Sequence, residues 1–203
     1  MKTLFLLIGL LVATSGFAQN DEAYVNQLTN QFTQKLGDRG IHDYFVAKRY
    51  CSGTIEMFKI AGKMCTSKGT YYEVYVVWND NGKDYMKKID NCGLFHSQEL
   101  SDTSLTDFYK KEWPAIKDDE VKPYASESYT GEPELRKKVQ PCYRDFQFQM
   151  GEVSTTKSFN LFAIGNDSEG KNRNYTFNQT LKLVQLNTLM DDVLSSLVFK
   201  RQE

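Results

Sequence analysis

Apolar side chains recur every fourth position near the start of the chain. Tyr24, Leu28, Phe32 and Leu36 form one stripe of residues 20–37, and the polar side is mostly Asn, Gln and Thr. That spacing predicts an amphipathic helix laid on a core. Asn20 or Asp21 can cap its start, and Gly37 suits its stop. A helix lying in a membrane surface would be rich in Lys and Arg on its polar side, which this one is not.

The period then falls from nearly four to two. Residues 43–50 and 53–60 alternate and are rich in β-favouring side chains, with Ser52-Gly53 between them. Residues 71–93, YYEVYVVWNDNGKDYMKKIDNCG, read as a hairpin. Asn81-Gly82 suits a type I′ turn, where both central residues take positive φ. The turn sets a register of Trp78 opposite Tyr85, Val76 opposite Lys87, and Val74 opposite Ile89. One face then carries Tyr72, Val74, Val76, Trp78, Tyr85 and Ile89 and is assigned to the core, with Lys87 its polar exception. The other carries Tyr71, Glu73, Tyr75, Val77, Met86, Lys88 and Asp90, a mixture that suits water or a polar cover.

Residues 104–113 predict a short helix with Leu105, Phe108, Tyr109 and Trp113 on one side. Ser104 and Asp107 resemble a capping box, and Pro114 ends or bends the helix. Residues 122–141 contain Pro123, Pro133 and Pro141 and few apolar residues, and read as a long surface loop. Alternation returns at 142–150, 154–165 and 173–185. From Leu186 through Leu197 the spacing becomes helical, with Asp191 and Asp192 assigned to the first turn and Lys200 and Arg201 to the last. About seven strands joined by short turns, with helices not interleaved with every strand, predict an α+β fold. The expected architecture is a single antiparallel sheet with the N- and C-terminal helices packed on one face.

Two features bear on where the chain works. Residues 1–18 have the form of a secretory signal peptide: Lys2, an apolar run from Leu4 to Val12, and Gly16-Phe17-Ala18 at the cleavage site. The run is too short to span a bilayer, so no membrane span is expected after cleavage. Residues 19–203 then suit one exported domain, periplasmic or extracellular. All four cysteines, Cys51, Cys65, Cys92 and Cys142, follow the signal, and an even count in an oxidising compartment suggests two disulfides. The chain has no C-x-x-C, and spacings of 14, 27 and 50 match no zinc pattern. The hairpin register brings Cys92 to the open end of the ladder, and Cys65 enters from just before the partner strand. That suggests Cys65–Cys92, leaving Cys51–Cys142 to tie an early strand to a late one.

Candidate chemistry is sparse. A formal net charge of −1 gives no electrostatic reason to expect nucleic acid or an anionic membrane as partner. The two histidines, His42 beside Asp43 and His96 beyond Cys92-Gly93, could share a centre with Glu99 only if the fold joined them. No G-x-S-x-G, HExxH or phosphate-binding Gly-rich loop occurs, and no cofactor or catalytic residue is nominated. The acidic run Asp118-Asp119-Glu120 lacks ordered calcium-ligand spacing. Sequons stand at Asn166, Asn174 and Asn178. Aromatic residues make up 13% of the chain. On the mixed hairpin face, Tyr71 and Tyr75 with Glu73 and Lys88 would form a tyrosine row suited to a protein or a small ligand. The leading expectation is an exported, non-catalytic binding domain. Its rivals are a hydrolase with a carboxylate or histidine centre and an inhibitor presenting the 122–141 loop.

Overall fold

A computed structural model describes residues 21–126, 142–166 and 171–202. The expected signal peptide, and residues 127–141 of the expected loop, lie outside the described residues. The chain opens with α1 (Asp21–Asp38), followed by β1 (Asp43–Cys51), β2 (Met57–Ile60) and β3 (Lys63–Thr66). Then come β4 (Tyr72–Asp80), β5 (Lys83–Asp90), β6 (Gly93–Leu94), β7 (Gln98–Glu99) and α2 (Ser104–Ile116). The last elements are β8 (Cys142–Met150), β9 (Val153–Asn160), α3 (Leu161–Ile164), α4 (Tyr175–Thr180) and α5 (Lys182–Ser195).

One antiparallel sheet organises the molecule, in the order β6-β5-β4-β1-β8-β9 with β7 also paired to β5. The fold is α+β, as the pattern predicts. Asn81 (φ 53°) and Gly82 (φ 80°) make the tight turn, and the β4–β5 register is the expected one, Trp78 opposite Tyr85 and Val76 opposite Lys87. Both disulfides form as expected, Cys51–Cys142 and Cys65–Cys92. Cys51 and Cys142 are directly opposed on β1 and β8, so this bridge pins the centre of the sheet to its late half.

Both sides of the sheet are covered by helix, which corrects the expectation that the terminal helices share a face. On one side, α1 packs on Val46, Val74, Val76, Trp78 and Ile89 through Val25, Leu28, Phe32 and Leu36. On the other, α2 and α5 pack on Phe45, Ala47, Tyr75, Val77, Met86, Phe146, Phe148 and Phe159. Two apolar sheet faces need two covers, because strands buried on both sides cannot leave either in water. The α1 helix runs one residue past Gly37, to Asp38. Gly40 (φ 77°) donates to the Gly37 carbonyl at 2.8 Å and Ile41 to the Leu36 carbonyl at 2.9 Å, a Schellman ending that only a residue tolerant of left-handed φ accepts easily.

Several local expectations fail for identifiable reasons. Of 53–60, only Met57–Ile60 forms a strand, and it pairs with β3 in a separate two-stranded ribbon turned at Ala61-Gly62. At α2, Thr103 is the N-cap: its hydroxyl donates to the Asp107 carboxylate at 2.6 Å, and Asp102 receives the Ser104 N–H at 2.9 Å. Pro114 lies inside the last turn, so the helix continues to Ile116. Within 173–185 the chain forms α4 (Tyr175–Thr180) and the start of α5 at Lys182, joined by an extended Leu181, instead of a strand. The Asn178 side chain, fully buried, receives the Lys122 N–H at 3.0 Å and donates to the carbonyls of Lys122 and Ala163 at 2.8 Å each. These bonds hold the 121–126 backbone, so α4 turns where a strand would have run on. In α5 the buried set is Leu183, Val184, Leu186, Asn187 and Met190, and Asp191 and Asp192 fall in its third turn.

Beyond α5 the chain leaves the helix and straps the sheet edge. The His96 N–H donates to the Lys200 carbonyl at 2.8 Å and the Gln202 N–H to the Leu94 carbonyl at 2.9 Å. Arg201 thus lies beside Phe95 and not in a last helical turn. Phe199 packs against Tyr75 and Phe95, with ring centroids 5.8 and 6.2 Å apart.

Candidate functional site

The four expected binding residues do converge, but under cover. Tyr71, Glu73, Tyr75 and Lys88 share the α5 side of the sheet. Tyr75 is 5% exposed beneath Phe199, so the open tyrosine row expected on this face is closed by the strap. Glu73 accepts a hydrogen bond from Lys88, whose ammonium stands 5.7 Å from the Tyr75 ring centroid and 5.2 Å from that of Phe95. The Tyr71 hydroxyl donates to Asp90 at 2.8 Å. Burial, then the nearby acids, hold the Tyr71 and Tyr75 hydroxyls well above the usual tyrosine range.

Beside this cluster stand two residues the sequence reading missed. Arg49 on β1 and Arg144 on β8 are directly opposed, so both guanidinium groups leave the sheet on the same side. Arg49 pairs with Asp191 of α5, and Arg144 donates to the Tyr143 carbonyl at 3.1 Å. The Nε groups of both are buried without an acceptor. Burial pulls Arg144 down to about 10, and the Arg49 charge adds to the pull against Glu73 and Tyr75. A cavity of about 200 Å³ opens here, lined by Arg49, Thr54, Tyr71, Glu73 and Arg144 among others.

A larger opening lies on the other side of the sheet. The α1 helix sits over β4 and β5, and among the described residues a groove opens between it and the β8–β9 side of the sheet. The groove holds about 650 Å³. Asn26 and Asn30 of α1 line one wall, and Lys48, Asp145, Gln147, Thr156 and Ser158 line the strands. At its end, Tyr50 stands between two cross-strand neighbours. Its ring centroid is 5.3 Å from that of Tyr143, nearly parallel, and 5.0 Å from that of Tyr72. A half-buried tyrosine row therefore exists, one residue out of phase with the expected one and on the opposite face. Burial, then the charges of Asp145 and Glu22, push the Tyr50 hydroxyl up to about 12, so at neutral pH it is a hydrogen-bond donor.

The charges in the groove are coupled to one another. Lys48 donates to Glu22 at 2.6 Å and lies 3.4 Å from Asp145, which also accepts from the Ser158 hydroxyl at 2.6 Å. Burial lowers the Lys48 pKa, but Glu22 and Asp145 outweigh it and the net shift is upward. Ser158 therefore faces a carboxylate that takes its hydrogen bond and an ammonium that stays protonated.

His42 and His96 are both exposed and sit in different loops, before β1 and between β6 and β7. Asp119 is used structurally, accepting the Leu183 N–H at 2.8 Å at the start of α5. Among the described residues, no group of three His, Cys, Asp or Glu side chains is placed to hold a metal ion, and no helix is long and apolar enough to cross a membrane. Two disulfides fit an oxidising, extracytoplasmic location. No family model, curated protein or solved structure matches the chain.

Proposed function

We propose that the chain is an exported, non-catalytic binding domain, periplasmic or secreted, that takes a polar ligand in the groove between α1 and β9. One observation carries this reading: among the described residues, a groove of about 650 Å³ with many polar lining groups opens between α1 and the strands β1, β8 and β9. Its lining offers amides at Asn26, Asn30 and Gln147, hydroxyls at Tyr50, Thr156 and Ser158, and a fixed ion pair at Lys48 and Asp145. Such a lining suits a ligand rich in hydroxyl or amide groups, such as an oligosaccharide or an extended peptide. The signal-like residues 1–18 and the two disulfides support export.

The test is backbone-amide shift mapping with a panel of soluble neutral oligosaccharides and short polar peptides. Saturable shifts confined to residues 26–30, 46–50, 145–147 and 156–158 are expected for one class. Thr156→Trp, an exposed position that fills the groove without touching the core, should abolish them. Shifts that fall elsewhere, or binding that survives Thr156→Trp, overturn the reading.

A further inference from the structure

The arginine cavity lies on the α5 side and shares only Tyr50 with the groove's lining, and its charges do not balance. Arg49 pairs with Asp191, Lys88 with Glu73, and Arg201 with Asp90. Arg144 has no carboxylate partner among the described residues, although it is only partly exposed and lies directly opposite Arg49. Two like charges held side by side in a half-buried site repel each other, and one is left without a counter-charge. The buried Nε groups of both arginines lack acceptors, at a cost that buried polar groups normally avoid. Glu73 also lines the cavity and its charge reaches both arginines, but its ion pair is with Lys88. Tyr71 turns its hydroxyl to Asp90, so it adds no negative charge.

We propose that this cavity is an oxyanion site in which Arg144, with Arg49 beside it, binds a phosphate, sulfate or carboxylate group. Guanidinium forks suit such groups because they donate two parallel hydrogen bonds to paired oxygens. At about 200 Å³ the space holds the anionic group alone, so the rest of any larger ligand lies outside it. Thr54 lines the rim, where its hydroxyl can donate to the same oxygens.

The experiment titrates the protein with inorganic phosphate, sulfate and acetate separately, at constant ionic strength set with chloride. The readouts are the side-chain Nε–H resonances of Arg49 and Arg144 and the affinity. Saturable movement of both resonances is expected with at least one oxyanion and not with chloride. The arms separate a tetrahedral preference from a carboxylate one. Arg144→Gln should weaken binding by about tenfold or more, the loss expected for a charge-assisted hydrogen bond. Exposed Lys83→Gln serves as control and should leave it unchanged. Resonances that do not saturate with any oxyanion, or an affinity unchanged by Arg144→Gln, overturn the proposal. The wild-type resonances decide the matter even if the variant folds poorly.

Discussion

Removing Arg201 isolates the contribution of the strap that closes the α5 side of the sheet. Asp90 is fully buried, and Arg201 meets it with both terminal nitrogens, at 2.8 and 2.5 Å. The Tyr71 hydroxyl and the Cys92 N–H complete its shell, each at 2.8 Å. Arg201→Met removes the guanidinium from over the Phe95 and Phe58 rings, puts an apolar side chain there, and leaves the carboxylate buried without its cation. Breaking a buried pair from one side costs about 3–5 kcal/mol, because the remaining charge stays out of water. Two donors survive here, so we place the loss near the lower end, about 3 kcal/mol. For a chain of this length that lowers Tm by about 6–12 °C. Urea unfolding of Arg201→Met, Asp90→Asn and the double variant measures the coupling. The double variant should recover much of the single loss, since no charge is then stranded. A cycle that is additive within about 0.5 kcal/mol refutes the reasoning.

The two disulfides should differ in what they contribute. They join residues 91 and 27 apart, so loop-closure entropy assigns about 4.5 kcal/mol to Cys51–Cys142 and about 3.5 kcal/mol to Cys65–Cys92. Urea unfolding of the paired Cys→Ala variants should show the larger loss for Cys51 and Cys142, and the reverse order contradicts the assignment. At high pH, burial holds Tyr50 up to about 12 and raises Tyr71, Tyr72, Tyr75 and Tyr109 as well, whereas unfolded tyrosines ionise near pH ~10. The folded chain then keeps protons that the unfolded chain loses. The stability tied to these groups is whole below pH ~10 and falls as pH rises through about 12. Far-UV circular dichroism and tyrosinate absorbance should change together in that window. Full tyrosinate formation near pH ~10 with the fold intact contradicts it.

Much of the framework was readable because local rules agreed. Asn81-Gly82 fixes one turn, and the turn fixes which side chains share a face, so the register of β4 and β5 followed directly. The same logic held the arginine pair within reach. Once Cys51 is set opposite Cys142 on antiparallel strands, Arg49 must stand opposite Arg144 and Tyr50 opposite Tyr143. The tyrosine row was sought on the β4–β5 ribbon alone, whereas it crosses from β4 through β1 to β8. What local pattern could not supply was the cover. Val77 and Met86 alternate with Val76 and Trp78 as apolar residues on both faces, and nothing local says which helix takes which side. Likewise Tyr175, Phe177, Leu181 and Leu183 alternate as a strand would. The helical outcome depends on the Asn178 side chain meeting Lys122, a contact distant in sequence.

The proposed binding groove is most directly tested by where the protein touches a ligand in the cell that makes it. A photo-crosslinking residue placed at Thr156, in the groove, is compared with one at Lys110, exposed on α2 on the opposite side of the sheet. The groove position should give a discrete adduct that disappears when Gln147→Trp fills the neighbouring space, and the Lys110 position should give none. Equal adducts from both positions, or an adduct from Lys110 alone, would contradict a binding surface between α1 and β9.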